Sequence, residues 1–197
     1  TRDALELLNL ANRYTNLLSM LNEQLASLLN QDPSAEKNFW LQASRGFDSW
    51  HFSGRRTHAT DVIEANNSVA LIAVFHTLLK LFTFMDRLMN HDFKEATTII
   101  DGMHLLPRSS DELQAKASNF EQMNPVLKGV FPSIVLGAMN SLYHQFVRTK
   151  YSGILGNEQQ HRREMKGRAA LLTSFASAVD LPYDLVSQMT NMEAQMV

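Results

Sequence analysis

The side chains able to do acid–base or ligand chemistry are scattered along this 197-residue chain rather than gathered. Seven histidines, His51, His58, His76, His91, His104, His144 and His161, fall on different predicted helices and turns. A metal site needs two or three ligands converging, commonly as a pair one helical turn apart, and no HExxH pattern occurs. His76 lies inside an apolar face and reads as a core histidine with a hydrogen-bonded partner. Asp86, Asp92, Glu95 and Asp101 lie near one another, but at predicted helix ends, where carboxylates cap amides or stay solvated. Nucleophile chemistry lacks its usual carriers: there is no cysteine, no GxSxG elbow and no glycine-rich phosphate loop. The reading is of a non-enzyme, with no catalytic, metal or cofactor-binding residue and no small-molecule substrate.

One charge cluster remains. HRREMKGR places Arg162, Arg163, Lys166 and Arg168 at the start of a predicted helix, beside a glycine-containing loop at Tyr151–Asn157. These four are the candidate partner-binding residues, suited to phosphates or to an acidic peptide. Glu158 and Glu164 dilute the cluster, and no exposed aromatic ladder accompanies it for base stacking, so nucleic acid is disfavoured. The formal net charge of -2 gives no global pull toward a polyanion. A helical matrix-type protein that binds nucleic acid or anionic membrane through residues 162–168 is the alternative functional reading.

The elements that carry these side chains are helices. Apolar residues recur at three- and four-residue steps almost throughout, and sustained apolar/polar alternation is absent, which predicts an all-α fold. With 45% hydrophobic and 19% charged residues the chain can bury a core. The periodicity predicts a first helix over Asp3–Leu29, with Leu7, Ala11, Tyr14, Leu18, Leu21, Leu25 and Leu28 on one stripe and Leu10 and Leu17 widening it. A second helix, Ala35–His51, sets Trp40, Ala43, Phe47 and Trp50 on a packing face. The aromatic residues of this region read as core, with any exposed tryptophan a binding anchor. After a GRRT turn and a short helix over Thr60–Ala65, a third helix spans Asn67–Met89. Its run from Val69 to Met85 is interrupted by His76 and Lys80 and is shorter than the ~20 residues a membrane span needs, so it reads as a core helix covered on most sides. Further helices are predicted over Phe93–Met103, from Ser110 to Met123, through Pro132 to about Lys150, over Glu158–Val179 and from Pro182 to Met196. Pro132 either kinks its helix or starts it, and Gly137, Ala138 and Ser141 leave room for a close neighbour. About eight helices with short connections and no fixed repeat period give an irregular α-helical solenoid of stacked hairpins, read as one block over residues 1–197. The chain opens without a signal-peptide pattern and without an initiator methionine, the expectation for a piece of a longer protein.

The order of features in the last third carries a resemblance. SIVLGAMNSLYHQFVRTK is followed by a glycine loop, a basic stretch and RAALLTSFASAVDLPYDLVSQMTNMEAQMV. An "AMNxLYxQF" helix, a polar loop, a helix ending in "SFA", then "PY" and a terminal "QM" helix resemble the C-terminal end of the nucleoporin-interacting component family of inner-ring nucleoporins. Upstream, FHTLLKLFTFMDRLMNHDFKEATTIIDGMHLLP resembles that family's long apolar helix with its Leu-Pro turn, and LNLANRYTNLLSMLNEQLASLL its leucine-rich helix. Phe39–Asn66 carries no feature matched to the family. The resemblance implies a C-terminal solenoid segment of a nuclear pore scaffold at the nuclear envelope. It also implies other nucleoporins as partners, among them a linker nucleoporin with an RRM-like domain, bound through a short linear motif.

Overall fold

The computed structural model describes residues 2–52, 57–66, 68–152 and 158–196. Ten α-helices and no strand occur among these residues: α1 Arg2–Leu10, α2 Tyr14–Leu28, α3 Ala35–His51, α4 His58–Ala65, α5 Val69–Met89, α6 Phe93–Gly102, α7 Ser110–Glu121, α8 Pro125–Ser152, α9 Glu158–Ala178 and α10 Tyr183–Gln195. The all-α expectation holds. The helices gather into two compact units, one running to Phe82 and the other from Thr83, so the division falls inside α5. The glycines of the expected 151–157 loop, and Gly54, Arg55 and Arg56 of the GRRT turn, lie outside the described residues.

In the first unit the predicted helix over Asp3–Leu29 is two helices. Asn12 adopts φ 54°, its N–H donates to the Asn9 carbonyl at 3.1 Å, and the Arg13 N–H donates to that of Leu8 at 2.9 Å. This paired closure around a left-handed residue satisfies the last carbonyls of α1. Asparagine tolerates that conformation because its short polar side chain bonds locally. Beyond the break, Tyr14, Leu17, Leu18, Leu21, Leu25 and Leu28 are buried as expected, whereas Leu7 and Leu10 are exposed. The same closure ends α5 at His91 (φ 58°) and α9 at Asp180 (φ 54°).

Helix α3 begins at Ser34, whose side chain accepts from the Lys37 N–H at 3.1 Å. Trp40 and Phe47 are buried against α2, but Trp50, expected on the same face, is 82% exposed. The place beside Phe47 is taken by other rings: His51 lies 4.7 Å from it and Phe52 5.6 Å, with Phe75 of α5 at 5.9 Å. At its other end α3 closes α2. Lys37, only 7% exposed, donates from Nζ to the carbonyls of Leu29 at 3.2 Å and Gln31 at 2.5 Å, supplying α2's last turn with a cation. Burial pushes the Lys37 ammonium below its ordinary pKa, with Asp32 partly opposing the shift.

Helix α5 is longer than the apolar run that marks it, and by length and composition it could cross a membrane, as could Pro125–Thr149 of α8. Val74, Phe75, Leu78, Leu81 and Phe84 are buried, but Val69 and Met89 are about half exposed, so cover is less complete than the sequence predicts. Two polar ties fix its first half in the unit. Asn22 Nδ2 donates to the Leu71 carbonyl at 3.0 Å, and His76 Nε2 lies 2.8 Å from Asp48 Oδ1. His76 thus has the partner expected of it, although its side chain is 42% exposed rather than enclosed.

In the second unit α8 occupies the middle, with α6, α9 and α10 packed on it and α7 packed on α9. Pro132 neither starts this helix nor stops it but lies within it, between the buried pairs Val130–Phe131 and Ile134–Val135. Gly137 provides the close approach: a Cβ there would stand 2.8 Å from Leu88 Cδ1 and 3.0 Å from the Phe84 ring of α5. Replacing buried Trp40 by alanine is expected to cost about 3–5 kcal/mol in denaturant unfolding, while Trp50→Ala changes stability by less than about 0.5 kcal/mol.

Candidate partner-binding site

A helix buried along one stripe has two flanks left to present, and α9 uses each differently. The stripe that periodicity predicts for this helix is Met165, Ala169, Leu172, Ala176 and Val179; the first four are buried with Phe175 beside them, and Val179, past the end of α9, is half-buried. On one flank Glu164, Gly167, Arg168 and Leu171, again at steps of three, one and three, face Arg108, Ser109 and Ser110 across a cleft of about 530 Å³. On the other, Gln159, Arg162, Arg163 and Lys166 line a groove of about 260 Å³ together with Phe146 of α8 and Met196.

The four candidate cations are therefore divided. Arg168 is turned to Asp101 of α6 in a two-pronged pair, Nη1 to Oδ2 at 2.9 Å and Nη2 to Oδ1 at 2.5 Å, with both side chains about three-quarters covered. Planar guanidinium and carboxylate match at two points, which orders both groups. The sequence predicts Asp101 to be a cap or a solvated charge; it is instead the partner of Arg168. Two more cations converge on that end of α6: Arg108 Nη2 donates to the Asp101 carbonyl and Lys116 Nζ to that of His104. Together they complement the carbonyl-rich terminus of α6 and tie it to α7 and α9. At its start α6 is capped by Asp92, whose Oδ1 accepts from the Glu95 N–H at 3.4 Å.

Arg162, Arg163 and Lys166 make no ion pair among the described residues, and the Arg162 Nε is buried without a hydrogen-bond acceptor. The nearby carboxylate of Glu164 points to Gln160 and His161, accepting from Gln160 Nε2 at 3.1 Å. Phe146 and Met196, 4% and 0% exposed, form an apolar floor beneath the three cations. Neither floor residue was singled out as functional by sequence, because each fits its own helix stripe as core.

A separate groove of about 480 Å³ lies in the first unit among α1, α2 and α3, with Leu5, Tyr14, Leu21, Phe47 and the exposed Trp50 on its walls. His51 faces it, its pKa lowered by burial and its Nδ1 without a partner. In the second unit the His144 ring stacks on Phe93 at 4.5 Å; burial lowers its pKa, with His91 and Arg148 adding repulsion. Among the described residues no three histidine, aspartate or glutamate side chains gather as a metal centre would require.

A family model described as Nup93/Nic96 matches residues 1–189. The chain belongs to the Nup93/Nic96 family. Relatives agree over nearly its full length: it is 24% identical to the nuclear pore complex protein Nup93-1 of Drosophila melanogaster over 93% of the chain. It is also 24% identical to nuclear pore complex protein Nup93 of Xenopus tropicalis over 98% of the chain, and 22% identical to that of Danio rerio over 90%. The chain spans under a quarter of the length of these curated relatives, 22%, 24% and 21% respectively.

The Asp101–Arg168 pair yields a quantitative expectation. Arg168→Ala should destabilise the chain by about 1–3 kcal/mol, since it leaves a partly covered carboxylate without its donors. In a double-mutant cycle with Asp101→Asn the coupling energy should exceed the ~0.5 kcal/mol typical of solvent-exposed pairs.

Proposed function

We propose that this chain is a non-catalytic scaffold segment of the nuclear pore complex, part of a longer α-solenoid at the nuclear envelope that acts by binding other nucleoporins. The observation that carries the reading is the family match across residues 1–189. The all-helical structure supports it, since sequence-adjacent helices such as α2 with α3 and α8 with α9 pack on one another as solenoid hairpins do. The relatives are named as nuclear pore complex proteins, which supports a place for this segment in the same assembly. Its function follows from surface rather than from a reaction: packed helix hairpins present grooves, and partners dock there. A linker nucleoporin with an RRM-like domain, contributing a short linear motif, is the finer partner assignment.

Tagging the natural protein that carries this chain with a fluorescent label, then recovering it from cell extract, tests the reading. A nuclear-rim signal with other nucleoporins in the recovered material is the expected result. A diffuse signal with no nucleoporin recovered overturns it.

A further inference from the structure

The groove under the free flank of α9 has a chemistry that selects its ligand. From Gln159, Arg162, Arg163 and Lys166 on α9, with Phe146 and Met196 beneath, we infer that it receives a short acidic peptide segment of a partner protein, with one large apolar side chain seated between carboxylates. This rests on the scaffold reading for where the partner comes from; the chemistry of recognition stands on the groove itself.

Three observations carry the inference. The cations occupy one face: residues 159, 162, 163 and 166 fall within two turns, so Arg162, Arg163 and Lys166 overlook the same concavity. Arg168, the fourth cation of the cluster, is held by Asp101 on the opposite flank and does not contribute. Among the residues whose side chains are described, no carboxylate lines the groove, and Glu164 is on the other flank with Gln160 and His161 as its contacts. Arg162 Nε is buried with no acceptor, and an incoming carboxylate would supply one. Finally, the groove is recessed over packed apolar residues, and its reachable apolar wall is made by the methylene stems of Arg162, Arg163 and Lys166. At about 260 Å³ the groove has room for a side chain rather than a whole helix or a base stack.

That last feature separates a peptide from the other polyanions. A bilayer surface meets cations on a flat or convex patch, and single-stranded nucleic acid bound in a cationic groove also stacks its bases on exposed rings. Among the described side chains the one ring at the groove, Phe146, is buried in the packing of α8. An apolar anchor flanked by acidic residues uses both parts of the groove, the methylene stems for contact and the charged heads for approach and register.

The test uses the whole chain, immobilised, and a library of short synthetic peptides in which glutamates flank one randomised position. Retained peptides should be enriched in Leu, Phe or Met at that position, and added salt should weaken their binding. The double variant Arg163→Glu/Lys166→Glu should bind the enriched peptides roughly tenfold or more weakly, while Arg45→Glu, a charge reversal on exposed α3 surface, leaves binding unchanged. Both variants are checked for an unchanged melting transition, since the altered side chains are exposed. Retention of a neutral library to the same extent overturns the proposal, as does unchanged binding by the double variant. So does preferential capture of single-stranded RNA or phosphatidylserine vesicles, or no peptide retained at all. Localisation at the nuclear rim is read separately, so the groove and the scaffold role fail independently.

Discussion

A helix of 28 residues that is apolar on most of its surface cannot stand in water alone, and the second unit is arranged around that constraint. Helix α8 carries Leu127, Val130, Phe131, Ile134, Val135, Ala138, Met139, Leu142 and Phe146, all buried, and they point in too many directions for one neighbour to cover. Helices α6, α9 and α10 therefore pack on it, the end of α5 reaches it at Gly137, and each is committed by the surface it gives to α8. For α9 the commitment is the Met165–Ala169–Leu172–Ala176 stripe. With that stripe inward and Arg168 drawn to Asp101, helix geometry leaves Arg162, Arg163 and Lys166 on the remaining flank. The cationic groove is thus a by-product of how α8 is covered.

Apolar burial alone would let α6 slide along α8, and a polar network sets the register. Ser141 Oγ, fully buried, donates to the Phe93 carbonyl at 2.6 Å. Its single proton being used there, the 2.9 Å contact with Thr97 must have the Thr97 hydroxyl as donor. Gln145 Nε2 completes the chain, donating to Thr97 Oγ1 at 2.8 Å and to the Phe93 carbonyl at 3.1 Å. A slip of α6 by one residue would leave several of these groups buried and unsatisfied, a loss of about 1–3 kcal/mol each. Arg148, 5.0 Å above the Phe93 ring, covers the outer edge of the same joint. In the first unit Lys37 plays the corresponding part, holding from α3 the cap carbonyl of α2 at Leu29 and the turn carbonyl of Gln31.

Periodicity made the helices and most buried stripes readable, because burial on one face imposes a 3.6-residue repeat on the sequence. It served well for Tyr14–Leu28 and for Met165–Ala176. It misled where helix ends turn on residues other than glycine or proline. Asn12 splits a leucine-rich run that looks continuous, since the left-handed cap costs an asparagine little and leaves no strong mark. Trp50 shows the other limit: its spacing is right for the face of Phe47, but His51 and Phe52 fill that space, and spacing cannot say which of two rings a neighbour accepts. The basic cluster was visible as composition. Its division into one structural pair and one free face was not, because Asp101 lies 67 residues from Arg168 and only the docking of α6 on α8 unites them.

The claim on which the account turns is that α8 is the element the second unit is built around, and native-state hydrogen exchange reads this directly. The amides from Ile134 to Phe146 should be the slowest to exchange among residues 83–196, opening only with the unit as a whole, while those of α7, which has no buried residue, exchange by local opening. Exchange of α8 ahead of α9 and α10, or protection of α7 equal to that of α8, would contradict it.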